Sequence, residues 1–210
     1  MAFAMRQRWR SPDAQRSKRP EGTVSTMFIQ TEDTPNPLTL KFLPGKAVMT
    51  SGTADFDDQE AAERSPLAHR LFDVAEVEGV FLGSDFVSVT KSESGDWQLM
   101  KPAILGVIME HFIAGRAVIE GDSEAAEESF GEADAEVVGQ IKELLDTRVR
   151  PAVAQDGGDI VFRSYQDGIV HLTMQGACQG CPSSTMTLKM GIENLLKHYI
   201  PEVVEVRPVM

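Results

Sequence analysis

Residues 156–184 read DGGDIVFRSYQDGIVHLTMQGACQGCPSS, and this stretch sets the architecture of the C-terminal half of the chain. The turn Asp156-Gly157-Gly158-Asp159 opens it, because glycine accepts positive φ without a Cβ clash. Two alternating apolar segments, residues 160–162 and 169–174, flank the turn residues 166–168 and predict a β-hairpin. A loop carrying Cys178 and Cys181 follows, and Pro182 with Ser183 or Ser184 suits the start of a helix.

The elements on either side of this stretch complete a small domain. Helical periodicity in Val138, Ile141 and Leu145 predicts a helix that stops near Pro151, and residues 188–196 predict a second helix after the cysteines. Residues 203–206 predict a last strand. The order α-β-β-α-β, with no βαβ crossover before the cysteines, indicates an α+β fold.

Upstream, short apolar segments separated by Pro and Gly predict another α+β domain. Strands are expected at 28–30 and 38–43 around the turn 34–37, and at 80–82 and 86–89 around the turn 83–85. Ser65-Pro66 predicts the start of a helix that runs to Gly79, and a further amphipathic helix is expected to end near Gly115. The sheet of this domain should be mostly antiparallel.

The expected organisation is therefore two small α+β domains joined by an acidic flexible linker. The boundaries are a basic, disordered leader at 1–26, a first domain at 27–116, the linker at 117–134 and the second domain at 135–210. The leader has six basic and two acidic residues, so it is either a transit peptide or a tail upstream of a start at Met27. The linker is too polar to offset the entropy of ordering it.

Composition and charge exclude several classes of function. The net charge of −12 argues against a binder of nucleic acid, and no apolar run reaches the ~20 residues of a membrane helix. Gly-rich phosphate loops with Lys, nucleophile elbows and HExxH spacing are all missing, which argues against an enzyme. Two cysteines are too few for a disulfide framework, so a reducing compartment is expected.

Cys178 and Cys181 are the candidate ligands of a metal centre. The positive end of the following helix should lower the pKa of a thiol, and residues 176–187 contain no charged side chain that would repel an anionic centre. One chain offers only two thiols, whereas a cluster or tetrahedral zinc takes four soft ligands. Two chains would complete a site for [4Fe-4S], [2Fe-2S] or zinc. His171, on the preceding strand, is more simply a structural residue.

Several interpretations remain open on the residues alone. The spacing Cys178-Gln179-Gly180-Cys181 also suits dithiol redox chemistry, although that motif is typical of a βαβ context, and a dimeric four-thiolate zinc site is equally compatible. A buried structural pair is the remaining interpretation, and the sequence argues against it, because two thiols in a glycine-rich loop at a helix start are poorly placed for core packing. Asn36 and Trp97 are candidates for a partner surface, with turn former and core residue as the simpler roles.

The motif and its surroundings resemble a known family. The turn at 156–159, the hairpin, the run from Gly176 to Ser184 and the helix from Thr187 resemble the C-terminal domain of NifU and Nfu-type scaffolds, over residues 136–209. Residues 28–116, with Thr34-Pro35-Asn36-Pro37, resemble the N-terminal domain of the Nfu scaffold of mitochondria and related bacteria.

The resemblance implies a function. It implies an iron-sulfur cluster carrier in which Cys178 and Cys181 of two protomers hold a bridging [4Fe-4S] cluster, with [2Fe-2S] as the variant. It also implies a cluster-linked homodimer, upstream assembly proteins as donors, and apo iron-sulfur proteins as acceptors. The compartment would be a bacterial cytoplasm, or the mitochondrial matrix if the leader is a transit peptide.

Overall fold

The structure is a computed structural model, and it describes residues 28–120, 129–131, 134–179 and 182–209. These residues form two α+β domains, so the expected fold class is confirmed. The expectations for the leader, for Met27 as a start, for most of the acidic linker and for Cys181 lie outside the described residues.

The N-terminal domain contains a five-stranded antiparallel sheet in the order β1-β2-β5-β4-β3. Its strands are β1 Gln30–Asp33, β2 Thr39–Leu43, β3 Ala54–Phe56, β4 Val77–Leu82 and β5 Val87–Lys91. Two helices accompany it, α1 Pro66–Phe72 and α2 Trp97–Ile113, with a short 3-10 turn at Ala61–Arg64 before α1.

One face of this sheet packs on the two helices. Alternate residues of the strands, such as Phe42, Val80 and Val89, share a buried core with Leu67 of α1 and Ile104 of α2. The start of α1 is the predicted one, because the Ser65 hydroxyl caps the helix by accepting a hydrogen bond from the Ala68 N–H at 3.1 Å.

The C-terminal domain contains a four-stranded mixed sheet in the order β6-β7-β8-β9. Its strands are β6 Ser129–Phe130, β7 Gly158–Gln166, β8 Ile169–Gly176 and β9 Glu205–Val209, and its helices are α3 Ala135–Leu144, α4 Arg150–Gln155 and α5 Pro182–Tyr199. The β7–β8 hairpin is antiparallel, whereas β9 pairs in parallel with β8. Apolar residues from the sheet and from the helices share one core, including Val138, Ile141, Leu172 and Leu196.

Several predicted boundaries are wrong, and tertiary pairing explains most of the differences. Helix α1 ends at Phe72 instead of Gly79, because residues 77–82 pair with β5 as a strand. The first strand lies at Gln30–Asp33 instead of 28–30, the last at Glu205–Val209 instead of 203–206, and β3 was not predicted. Pro151 does not end the helical region; it lies in the first turn of α4, where its missing N–H costs little.

The acidic stretch also departs in part from the predicted linker. Residues 129–130 form β6, which pairs in parallel with residues 164–165 of β7. Among the helices of the described residues, none is long and apolar enough to cross a membrane.

Candidate cluster-binding site

Cys178 lies in a tight turn between β8 and α5, as the sequence predicts. Gly176 ends β8 with φ of +61°, and the Gln179 N–H donates to the Gly176 carbonyl at 3.0 Å. The Thr185 hydroxyl in the first turns of α5 donates to the Cys178 carbonyl at 3.2 Å, which ties the loop to the helix. Cys181, the second candidate ligand, lies outside the described residues.

The environment of the Cys178 thiol differs from the one expected. Only 7% of the residue is exposed, and it belongs to the core of the C-terminal domain. Burial raises the pKa of the thiol to about 12, and the carboxylates of Asp156, Asp159 and Asp55 act in the same direction. The sequence favoured a thiol pKa lowered by the helix start, whereas burial and these three carboxylates raise the pKa of Cys178.

The surroundings of the thiol also carry more charge than residues 176–187 alone indicate. The carboxylates near Cys178 come from other segments. Asp156 and Asp159 belong to the turn that enters β7, and Asp55 lies on β3 of the N-terminal domain. A bound metal ion would reverse this electrostatic balance, because coordination to a cation removes the thiol proton outright.

Two cavities flank the thiol. The first has a volume of about 440 Å³ and the second about 530 Å³, and Cys178 lines both. The first is lined by Pro35, Val153, Asp156, Ala177, Cys178, Thr187 and Leu188. The second is lined by Asp55, Asp57, Arg163, Thr173, Met174, Gln175, Cys178, Gln179, Thr185, Pro208 and Val209. Each cavity thus includes residues of both domains.

The turn at residues 156–159 is anchored by an ion pair between the buried carboxylate of Asp159 and the partly exposed guanidinium of Arg150. Asp159 is 3% exposed, and its carboxylate accepts hydrogen bonds from Nε of Arg150 at 2.8 Å and from Nη2 at 2.7 Å. The Ile160 N–H adds a third hydrogen bond at 2.8 Å, and the Thr53 hydroxyl a fourth at 2.9 Å. This anchor fixes the turn that the cysteine loop packs against, since the Ala177 N–H donates to the Gly157 carbonyl at 3.1 Å.

Asp55 is the other buried carboxylate near the loop. Burial, and then the charge of Asp57, raise its pKa to about 7, although a hydrogen bond from the Gly176 backbone opposes the shift. It accepts a hydrogen bond from Nε2 of Gln179 at 3.0 Å. Sequence reasoning missed Asp55 because β3 is only three residues long and lacks an apolar run.

The remaining candidates have different outcomes. His171 contacts Ser164 on the neighbouring strand, with 3.0 Å between Nδ1 and the hydroxyl oxygen. Nδ2 of Asn36 donates to the Gln179 carbonyl at 2.9 Å, and its Oδ1 accepts from the Leu38 N–H, so it both forms a turn and contacts the cysteine loop. Trp97 begins α2, and its Nε1 donates to the Pro37 carbonyl at 3.4 Å.

No group of three or more His, Cys, Asp or Glu side chains in the described part of the chain is arranged to hold a metal ion. The described residues therefore offer Cys178 as a single soft donor beside two cavities.

Comparisons with known proteins agree with this architecture. The family profile described as "Scaffold protein Nfu/NifU N terminal" matches residues 29–115, and the profile "NifU-like domain" matches residues 141–207. The chain is 52% identical over 188 residues to the human protein named "NFU1 iron-sulfur cluster scaffold homolog, mitochondrial", covering 89% of this chain and 74% of that protein.

Insect relatives give the same result. Proteins of the same name from Drosophila virilis and Drosophila willistoni are 54% and 53% identical over 185 residues. The alignments cover 88% of this chain but only 62% and 64% of those proteins, so the chain spans less than two thirds of their length. With both family profiles in the expected order and a relative covered over 74% of its length, the chain belongs to the Nfu/NifU family of iron-sulfur cluster scaffold proteins.

Proposed function

We propose that this protein carries an iron-sulfur cluster between two copies of itself and transfers it to apo-proteins. The observation that carries the proposal is the ligand count: the chain has two cysteines in all, Cys178 and Cys181, and they are three positions apart in the sequence. A cubane cluster takes four thiolates, so two chains supply one coordination sphere. Membership of a family whose relatives are named iron-sulfur cluster scaffolds supports the same conclusion.

The cluster is a [4Fe-4S] cargo with no other protein ligands. A [2Fe-2S] cluster also takes four thiolates and is the variant that the same donors suit. The cluster links the chains into a homodimer, upstream assembly proteins supply it, and apo iron-sulfur proteins receive it. The protein acts as a carrier and performs no catalysis of its own.

Transfer proceeds by ligand exchange. In each step, one iron–sulfur bond to Cys178 or Cys181 breaks and one bond from the same iron to an acceptor cysteine forms. The proton of the acceptor thiol passes to the departing cysteine, so charge and electrons balance without an oxidant or reductant. The thiolate is the species that binds metal, which is why the proton must move.

Dithiol redox chemistry is the second candidate, and one observation favours it. The sequence predicts no βαβ crossover before the cysteines. The structure has one after them, because β8 and β9 pair in parallel and α5 connects them. The cysteine loop thus begins a βαβ unit, the setting in which dithiol motifs occur. Family membership favours the cluster over this candidate.

The compartment is part of the proposal. The curated relatives are named mitochondrial, which favours a mitochondrial matrix location with residues 1–26 as transit peptide over the cytoplasmic alternative. Import of the full chain into isolated mitochondria tests this: removal of the leader during import supports the matrix, and an unprocessed chain left outside the organelle contradicts it.

Anaerobic reconstitution tests the function. We expect a brown protein with about four irons and four sulfides per two chains, because four cysteine thiolates ligate one such cluster. The molecular mass of the protein in solution should double when the cluster binds, because the cluster links two chains. Cys178→Ala and Cys181→Ala should each lose colour, sulfide and pairing, whereas Val204→Ala, at an exposed position of the same domain, should retain all three.

Three results would contradict the proposal. Retained colour in the Cys181→Ala variant would remove the ligand assignment. Zinc without sulfide in pairs of chains would identify a four-thiolate zinc protein instead. A monomer that binds neither metal nor sulfide but reduces disulfides would establish the redox alternative.

A further inference from the structure

The outer face of the N-terminal sheet carries a row of four residues paired across four strands. Lys41 of β2 lies opposite Ser88 of β5, Ser88 opposite Phe81 of β4, and Phe81 opposite Asp55 of β3. We call these residues the outer row. Their neighbours along each strand point into the helix-covered core, because successive side chains alternate between the two faces of a sheet.

Three of the four outer-row residues are buried and Asp55 is half-buried, although neither helix of the N-terminal domain covers the row. Lys41 is 6% exposed, and Phe81 and Ser88 are 1% exposed, yet none of the three belongs to the core of that domain. An outer sheet face would normally carry solvated side chains, since antiparallel sheets commonly pack on one face only. Another part of the molecule must therefore cover the row.

The C-terminal domain covers it through main-chain contacts. Nζ of Lys41 donates to the Gln155 carbonyl at 3.0 Å, and the Ser88 hydroxyl donates to the Gly157 carbonyl at 2.7 Å. Gln155 is the last residue of α4, and Gly157 lies in the turn between α4 and β7. Two residues of the outer row therefore bind main-chain carbonyl oxygens of the C-terminal domain.

The other half of the row contacts the cysteine loop. The Phe81 ring lies against Gly176, and the Asp55 carboxylate accepts the 3.0 Å hydrogen bond from Gln179. Asn36 holds the Gln179 carbonyl from the adjoining turn, so both the side chain and the main chain of Gln179 are bound by the N-terminal domain. Gln179 directly follows Cys178.

Two glycines make this close approach feasible. A Cβ on Gly157 would lie 2.8 Å from the Ser88 hydroxyl oxygen, and a Cβ on Gly176 would lie 2.8 Å from Cγ of Phe81. Both glycines also have positive φ, at +82° and +61°. Glycine at these positions allows the positive φ of the turns, and it also leaves room for Ser88 and Phe81 of the outer row.

We propose that the outer row is a docking surface for the cysteine loop of its own chain, and that docking and cluster-linked pairing exclude each other. The second half of this statement rests on the proposed function. A shared cluster requires a second cysteine loop to approach until its thiolates bond the same core. Cys178 is only 7% exposed, and the N-terminal domain lines part of both cavities beside its thiol, through Pro35 in one and Asp55 in the other. That domain must therefore move before a second chain can reach a cluster bound at Cys178.

Lysine acetylation of the full-length protein tests both halves of the proposal. N-acetylsuccinimide would be applied in short pulses to the cluster-free chain and to the reconstituted pair, with peptide mass spectrometry as the readout. Lys46, which is exposed on the same domain, is the internal reference. In the cluster-free chain we expect Lys41 to react about tenfold more slowly than Lys46, because its ammonium is buried against the Gln155 carbonyl and is also paired with Glu32 of its own domain at 3.2 Å. In the cluster-linked pair the contact with Gln155 is lost and the pairing with Glu32 remains, so we expect most of this protection to be lost.

The outcomes separate the two claims. Equal reactivity of Lys41 and Lys46 in the cluster-free chain would overturn docking. Protection that persists in the cluster-linked pair would overturn the exclusion and leave the proposed function intact. Failure to form any cluster-linked pair would overturn the proposed function and the exclusion together, while slow labelling of Lys41 would still establish docking.

A charge reversal provides an independent check. Asp55→Lys places a cation where Gln179 donates its hydrogen bond, so it should remove the protection of Lys41 and increase the radius of gyration in X-ray scattering. Asp85→Lys makes the same charge change in an exposed turn of the same domain and should change neither. A native circular dichroism spectrum of Asp55→Lys with Lys41 still protected would contradict docking. If that variant unfolds, the comparison of the two lysines in the unaltered chain decides alone.

Discussion

A Cβ atom on Gly158 would lie 2.6 Å from Sγ of Cys178 and 2.6 Å from the carbonyl oxygen of Gln175. Gly158 is the first residue of β7, and Cys178 lies just beyond the end of β8, so the two strand ends enclose the thiol. Because real Cβ atoms do not approach sulfur or oxygen so closely, the position of the thiol depends on the absence of a side chain at residue 158.

Substitution of this glycine is the first prediction. Gly158→Ala should lower the free energy of unfolding of the C-terminal domain by about 1–3 kcal/mol, because an extra methyl group in a filled site forces its neighbours to move. Under the proposed function, it should also lower the amount of cluster bound per chain, since the thiol is displaced. Urea unfolding and sulfide analysis measure the two effects.

Gly139→Ala is the matched control. Gly139 is exposed on α3 with no atom within 4 Å of its Cβ position, so alanine should stabilise the helix by about 0.5–1 kcal/mol. Equal losses of stability in both variants would show that the fit around Cys178 is not the cause.

Local chemistry made the hairpin and the loop predictable. Asp156-Gly157-Gly158-Asp159 requires a residue of positive φ, and Gly157 has φ of +82° in a turn that enters β7. The residues 166–168 form the predicted turn between β7 and β8. Such signals depend only on backbone conformations within a few residues, so they can be read from the sequence.

Contacts between the two domains were not predictable in the same way. Alternation along β2 and β5 separates Lys41 and Ser88 from the core residues, but it does not say what covers the outer face. The charge near Cys178 was unpredictable for the same reason, since Asp55 is distant in sequence and comes close to the thiol only in the folded chain. The cover of the outer row and the surroundings of Cys178 therefore both depend on long-range packing.

The second prediction concerns the ion pair that anchors the turn. Arg150→Met removes both hydrogen bonds that the guanidinium donates to Asp159, which stays 3% exposed. We expect a loss of about 1–3 kcal/mol in the free energy of unfolding, because the buried carboxylate loses two charge-assisted hydrogen bonds but keeps those from the Ile160 N–H and the Thr53 hydroxyl. Urea unfolding of the unaltered protein and of Arg150→Met measures this loss.

Arg148→Met is the control for this prediction. Arg148 is exposed, and its guanidinium lies 5.1 Å from the centre of the Tyr199 ring, a contact worth about 0.5–1 kcal/mol at an exposed site. If Arg148→Met cost as much as Arg150→Met, the anchoring of the turn by Asp159 would not explain the loss.

The third prediction is a loss of stability of the N-terminal domain in mild acid. His111 on α2 is fully buried, and neither ring nitrogen forms a hydrogen bond of normal geometry within the described part of the chain. Burial, and then the charges of Arg116 and Arg70, lower its pKa from the ordinary 6.5, although the Arg116 backbone lies close enough to oppose the shift in part. The exposed Glu110 is paired with Arg70 at 2.7 Å.

The direction follows from proton uptake on unfolding. Below about pH 6.5 an unfolded His111 binds a proton that the folded domain resists, so stability present above that pH is lost as the pH falls toward the lower folded pKa. His111→Leu removes the titrating group from a site where it has no hydrogen bond to lose, so thermal unfolding of this variant should depend less on pH between 7.5 and 5.5.

His69→Leu, at a half-exposed position of α1, should keep the full dependence. A pH dependence unchanged in His111→Leu would assign the acid sensitivity to other groups, because no proton would then be taken up at residue 111.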